Sequence, residues 1–301
     1  MTKNNNRRFY SLNDYFKDKF GEKIYKVSLD GGFTCPNRDG KISRGGCIFC
    51  SDSGSGEFTG DRIKTITTQI DEQLIFLKDK IGEGKVIAYF QNFTNTYADI
   101  EYLRKMYYEA LEHPKVIGIA IGTRPDCLDE DVLILLKEIN DKYLLWVELG
   151  LQTSDDRIAK LINRGYEYPI YEKAAENLRN MNIKFVAHMI IGLPEEERGG
   201  IIKTAEDIIK SGAWGIKIHS LHIIKGTSME TLYKKTPFHI FSLVEYVELV
   251  VTILRLIPKD MVVHRVTGDG KKDEVIEPIW SLNKRKVLNE IEKELKRRDL
   301  Y

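Results

Sequence analysis

Short apolar runs rich in β-branched and aromatic residues alternate with stretches of helical period along nearly the whole chain. Ile24–Leu29, Val86–Phe90, Val116–Ile121, Leu144–Leu149, Ile183–Ile190, Trp214–His222 and Met261–Val266 read as strands. Between the first two, Ile66, Ile70, Leu74, Leu77 and Ile81 recur at helical spacing. Ala98–Glu112, Asp155–Ile162, Ile170–Met181, Ile201–Lys210, Leu243–Leu256 and Lys284–Lys296 read as further helices, and Asp129 is the N-cap of a Leu- and Ile-rich one.

Strands alternating with helices predict parallel pairing through right-handed crossovers. Continuous apolar strands suit a sheet covered by helices. Six or seven units fall short of the eight that close a full barrel. The expected fold is therefore α/β: an open, curved partial barrel of (β/α)6 type with a short C-terminal extension. A doubly wound open sheet is the alternative. The expected divisions are an N-terminal segment 1–22, the barrel 23–260, and a C-terminal strand and helix, 261–301, packed on it.

Polar residues collect where the strands end: Gln91, Asn92 and Thr94; Thr123 and Arg124; Glu148 and Gln152; His188; His219, His222 and Lys225; His264 and Arg265. Parallel barrels carry their active sites at that end, whereas loops at the other end, such as Gly82–Lys85, lack this variety.

With 46 Lys plus Arg against 45 Asp plus Glu, the net charge is +1, which neither demands nor forbids a nucleic-acid partner. No apolar run approaches the ~18 residues of a membrane span, and the N-terminus lacks the apolar core of a signal peptide. A cytoplasmic protein is expected, in which four cysteines are ligands, nucleophiles or buried residues rather than disulfides. Eleven residues separate Cys35 from Cys47, and two separate Cys47 from Cys50. Thiolates suit zinc or iron–sulfur clusters. Structural zinc is normally closed by four ligands, and three clustered thiolates leave one iron of a [4Fe–4S] cluster open. The count favours the cluster over zinc. Cys127 reads as a small buried residue.

The cysteine segment SLDGGFTCPNRDG, together with YFQ-x-x-TNTY (Tyr89–Tyr97), GTRPD (Gly122–Asp126), ELGLQT (Glu148–Thr153), NRGY (Asn163–Tyr166), HMIIGLP (His188–Pro194) and HRVTGDG (His264–Gly270), resembles the YtqA/YhcC-type radical S-adenosylmethionine (SAM) family over essentially the whole chain. The eleven-residue spacing is similar to the branch containing the Elongator catalytic subunit. This resemblance implies a [4Fe–4S] cluster on Cys35, Cys47 and Cys50, with SAM on the open iron. Gln152 and Arg164, twelve positions apart, resemble the glutamine and arginine with which oxygen-independent coproporphyrinogen dehydrogenases hold the SAM ribose and carboxylate. Arg164 has a second reading, as a helix C-terminal cation before Gly165. Glu148 and His188 are expected in the cofactor cavity, Glu148 either on cofactor or substrate or in an internal salt bridge. Thr94 and Asn95 fall within Gln91–Thr96, which occupies the place of an absent glycine-pair motif; Gly122 replaces a glutamate of related branches.

The resemblance further implies tRNA modification: conversion of wobble carboxymethylaminomethyl-uridine to aminomethyl-uridine, as associated with Gram-positive members, with an electron donor such as flavodoxin or ferredoxin. Lys225, His219, His222, His264 and Arg265 are the candidates for holding the substrate carboxylate or handling protons. Lys3, Arg7, Arg8, Lys217, Lys225, Arg265, Lys271, Lys272, Lys284, Arg285 and Lys286 are basic residues available to RNA, and Phe93, Tyr97 and Tyr166 could stack on a base. Radical chemistry on a small metabolite and a non-catalytic RNA-binding or electron-transfer protein are the alternatives.

Overall fold

The computed structural model describes residues 9–52, 54, 59–82 and 84–299; Lys3, Arg7 and Arg8 lie outside them. The chain begins with α1 (Leu12–Phe20), closed at one end by a Ser11–Asp14 capping box and at the other by Gly21 in the left-handed region. β1 (Tyr25–Leu29) follows, then the cysteine loop, α2 (Ile66–Phe76) and α3 (Lys78–Ile81). β2 (Val86–Phe90), α4 (Ile100–Glu112), β3 (Val116–Thr123), α5 (Glu130–Asn140) and β4 (Leu144–Gln152) come next. Asp129 caps α5 as expected, its side chain accepting from the Val132 N–H. Then come α6 (Asp156–Leu161), α7 (Tyr168–Asn180), β5 (Lys184–Ile191), α8 (Arg198–Lys210) and β6 (Gly215–Ser220). The chain ends with β7 (Ile223–Ile224), α9 (Ser228–Lys235), α10 (Leu243–Leu256), β8 (Val262–Arg265), β9 (Val275–Glu277) and α11 (Lys284–Asp299).

Seven strands form one parallel sheet in the order β1-β2-β3-β4-β5-β6-β8. That order never reverses, so the sheet is singly wound and the doubly wound alternative is excluded. The strand at 262–265 is the edge of the sheet itself rather than an addition packed on it. β7 and β9 make a separate antiparallel ribbon.

The sheet curls. β2 and β6 are four strands apart, roughly 19 Å across a flat sheet at ~4.8 Å per strand. Yet Lys217 Nζ of β6 reaches Tyr89 Oη of β2 at 3.2 Å. The half-barrel has two apolar zones. One lies between its outer face and the helices, where Leu103, Leu136, Leu178, Ile208 and Val250 are buried. The other lies inside, where Ile87, Ala120, Trp146 and Val186 pack on Phe16 of α1. The helix therefore plugs the barrel floor, a role its place in the N-terminal segment did not suggest. Burying Phe16 contributes ~1.5–3 kcal/mol. No helix among the described residues is long and apolar enough to cross a membrane.

Candidate active site

A cavity of 440 Å³ opens at the C-terminal ends of the strands, a volume suited to a small-molecule ligand. Cys35, Cys47 and Cys50 line it from the loop after β1, and Arg265 from the end of β8, so both edges of the curled sheet meet in one space. Gln91, Phe93, Thr94, Glu148, Gln152, Arg164, Tyr166, His188, His219 and His222 also line it.

The cysteine loop is held by neighbours from the NRGY turn. Asn37 is fully buried and donates one amide N–H to Cys47 Sγ at 3.6 Å and another to the Asn163 carbonyl at 2.6 Å. Asn163 donates to the Gly46 carbonyl at 2.7 Å. Gly165 has φ +83°, and a Cβ there would come within 2.7 Å of Asn37 Oδ1, so only glycine closes this contact. Arg38 clamps the carbonyls of Cys50, Ser51 and Asp52. A hydrogen bond from Cys50 draws the Cys47 thiol down to about 7, against burial and with help from Arg124 and Asn37. A thiolate is thus available at neutral pH. Among the described residues, no three His, Cys, Asp or Glu side chains converge as a single-ion metal site. The cysteines of an iron–sulfur cluster each take a different iron and need not converge. Cys127 is half-buried, does not line the cavity, and has its thiol pushed up to about 12 by burial.

On the strand side, Glu148 is buried and accepts from three donors: Trp146 Nε1 at 3.0 Å, His188 Nε2 at 2.9 Å, and Lys217 Nζ. Lys26 Nζ lies 3.6 Å away. Burial alone would raise the carboxyl, but Lys217, Lys26 and the His188 hydrogen bond outweigh it and hold Glu148 well below the usual range. Burial draws Lys217 well below the usual lysine range, with Glu148 opposing it. The internal salt bridge foreseen for Glu148 is present, and the carboxylate also faces the cavity. His188 and His219 lie ring beside ring at 5.3 Å. Burial lowers both, His188 to about 4 with the positive charge of Lys217 adding to it; burial also brings His222 to about 4. All three imidazoles are therefore neutral at pH 7. Arg265 pairs with Asp269 at 3.1 Å, and Asp269 with Lys284 at 2.7 Å.

Several expected residues stand elsewhere. Lys225 is exposed, binds the Asp273 carbonyl at 2.5 Å and does not line the cavity. The turn into the β7–β9 ribbon carries it outward. His264 lies below the cavity between Trp146 and Trp214, at ring distances of 5.7 and 5.1 Å; the ladder shifts register here, so Arg265 rather than His264 pairs with Lys217. Asn95 is fully buried and joins β2 to β3, donating to the Phe90 and Gly122 carbonyls; it too is absent from the lining. Arg164 borders the cavity, but its guanidinium donates to the carbonyls of Leu151, Thr153 and Tyr166 and pairs with Asp156. A bidentate grip on a carboxylate needs two N–H groups on one edge, and those are occupied by the loop. Lys217 is a buried partner of Glu148 rather than a rim cation.

Gln152 has φ +64° at a bulge between β4 and β5, and its amide, oriented to donate, meets the Leu151 and Gly150 carbonyls. Phe93 has φ +59° and lies between Arg38 and Arg62, at 5.4 and 5.5 Å from its ring. Such backbone conformations cost about 1–2 kcal/mol for non-glycine residues and cluster at functional sites. Lys41 covers the Tyr97 ring at 5.1 Å. Tyr166 instead packs between Arg124 and Arg164, its hydroxyl on the Gly150 carbonyl.

Residues 37–208 match the Radical SAM superfamily, and residues 213–297 match the Radical SAM C-terminal domain. The chain is 46% identical to the protein YtqA of Bacillus subtilis (strain 168) over 298 residues, 99% of this chain and 92% of that one. It is 35% identical to protein YhcC of Escherichia coli (strain K12) over 268 residues, 88% and 85% of the two chains. The solved structure of archaeal Methanocaldococcus infernus Elp3 with an N-terminal deletion has the same fold, with a TM-score of 0.67 at 18% identity; the match covers 90% of this chain and 63% of that one.

Proposed function

The chain belongs to the radical SAM superfamily, and from that premise we propose that it removes the carboxymethyl group from carboxymethylaminomethyl-uridine at the wobble position of tRNA, leaving aminomethyl-uridine. As a radical SAM enzyme it uses a [4Fe–4S] cluster and S-adenosylmethionine. The donor set fits: Cys35, Cys47 and Cys50 border the cavity together, and three thiolates leave one iron for SAM. When bound, the two cofactors supply a 5′-deoxyadenosyl radical able to take a hydrogen atom from carbon.

The observation that carries the substrate assignment is that Arg265 and neutral imidazoles line the same cavity as the thiols. A guanidinium held by Asp269 suits a carboxylate, and His219 and His222 suit N–H and O–H groups without repelling it. Seating the carboxylate on Arg265 leaves the neighbouring CH2, flanked by nitrogen and carboxylate, facing the rest of the cavity. A carbon radical there is stabilised from both sides. The rim supports a single-stranded nucleic acid partner: Phe93 between two arginines and Tyr97 under Lys41 combine aromatic faces with cations. Lys272, Arg285 and Lys286 add exposed positive charge, whereas Lys271 pairs with Glu274 and Lys284 with Asp269. A one-electron donor such as flavodoxin or ferredoxin completes the system.

The test is anaerobic incubation of reconstituted enzyme, SAM and reductant with tRNA carrying the modified base. Nucleoside analysis should show aminomethyl-uridine, with glyoxylate released. Intact tRNA alongside SAM cleavage driven by a small metabolite would overturn the assignment.

A further inference from the structure

Glu148 is an acceptor on both oxygens. Trp146 Nε1, which can only donate, takes Oε1 at 3.0 Å, and Lys217 takes Oε2. With the carboxyl held ionised by two lysines, His188 Nε2, 2.9 Å from Oε2, must carry the ring proton. Its Nδ1 then holds the lone pair, on a side chain that lines the cavity. From this geometry we infer that His188 Nδ1 is the proton acceptor for the substrate amine, an assignment that rests on the reaction proposed above.

The step balances. Once the CH2 has given a hydrogen atom to the deoxyadenosyl carbon, the substrate radical loses one electron to a one-electron acceptor of the iron–sulfur class. Its N–H proton passes to Nδ1, and a C=N bond forms. Water then adds across that bond, and the C–N bond breaks to give the aminomethyl amine and glyoxylate.

The groups around His188 come from several strands. Lys26 on β1, Glu148 on β4, Lys217 and His219 on β6, and His264 on β8 act on it, while Tyr89 of β2 and Arg265 of β8 line the same cavity. Burial, Lys217 and Lys26 keep the ring unprotonated at neutral pH, with its pKa lowered to about 4, against the pull of Glu148. An arriving substrate carboxylate favours the imidazolium, so substrate binding itself readies the acceptor. Lys217 and Glu148 are positioning residues that fix the tautomer.

Two measurements test this. In 15N-histidine NMR spectra of the apo full-length chain at pH 7, His188 should be neutral with its proton on Nε2; a proton on Nδ1 overturns the assignment. In His188→Gln the amide N–H replaces Nε2–H toward Glu148, but no base remains. With tRNA deuterated at the CH2, label should still enter 5′-deoxyadenosine while glyoxylate release falls about 10²-fold. Unchanged glyoxylate release overturns the role of His188. Wild-type enzyme that converts no tRNA and transfers no label overturns the underlying reaction instead, and the NMR result separates the two failures.

Discussion

The two walls of the cavity are made of different material. On the β1 side the wall is loop: Cys35, Cys47 and Cys50 follow the strand and depend on Asn37, Asn163 and Arg38 for their shape. On the β4–β8 side the wall is sheet: Glu148, His188 and His219 are strand residues whose side chains alternate inward with the pleat, and a register shift brings Arg265 of β8 in beside them. A loop wall can lose a functional group while the core stands. The sheet wall tolerates this less at Glu148, which with its partner Lys217 is a buried member of the barrel. Substitutions on the two sides should therefore separate chemistry from stability.

The largest effect belongs to the thiol side. Cys47→Ala should drop bound iron from about four per chain to near zero and abolish SAM cleavage, with little change in denaturant unfolding of the apo chain. Cys127→Ala should keep its iron. Iron and sulfide analysis after anaerobic reconstitution reads both. Glu148→Ala should act in the opposite sense, destabilising the fold by ~3–5 kcal/mol because it strands the buried Lys217. Denaturant midpoints measure this, and a loss below ~1 kcal/mol would show that the network is not structural.

The difference between the walls also explains what the sequence disclosed. Seven strands and their parallel pairing were legible because continuous apolar runs alternating with helical periods are local signals, and the Cys-x-x-Cys spacing marked three cysteines that the fold brings to one cavity. The partners were not. Lys217 reads as a surface cation until it is noticed that Lys217 and His219 are two apart in a strand, and so share the inward face. Asn95 and Arg164 are polar residues near strand ends whose hydrogen bonds go to backbone carbonyls contributed by distant segments. Periodicity cannot report such a bond. The helix α1 carried a local signal, Ser11-x-x-Asp14 and then Gly21, but its task of plugging the barrel depends on tertiary packing.

Acidification should sharpen the contrast. In the folded protein His188 titrates at about 4, against ~6.5 in an unfolded chain. The unfolded state therefore binds the extra proton between those values, and stability falls as pH drops from 6.5 toward 4, by roughly 3 kcal/mol at most from this residue. Glu148 titrates well below its unfolded value, so its contribution is present above ~4.3 and lost on further acidification through its folded pKa. Unfolding free energies of apo His188→Gln should show a shallower slope across the first window; an identical slope would mean that His188 titrates normally.

Smaller still, Arg265→Ala should lower kcat/KM for the tRNA by about ten- to a hundredfold, as expected for a charge-assisted contact of ~1.5–3 kcal/mol. Iron content and substrate-independent SAM cleavage should persist. Lys225→Ala, directed away from the cavity, should leave kcat/KM unchanged within about twofold, in line with a surface side chain.

The proposed hydrogen abstraction from the substrate CH2 would join both walls in a single event, and deuterium transfer reports it directly. Wild-type enzyme given SAM, reductant and tRNA deuterated only at the carboxymethyl CH2 should yield 5′-deoxyadenosine carrying one deuterium, in step with aminomethyl-uridine. Conversion of the tRNA with unlabelled 5′-deoxyadenosine would contradict abstraction at that carbon.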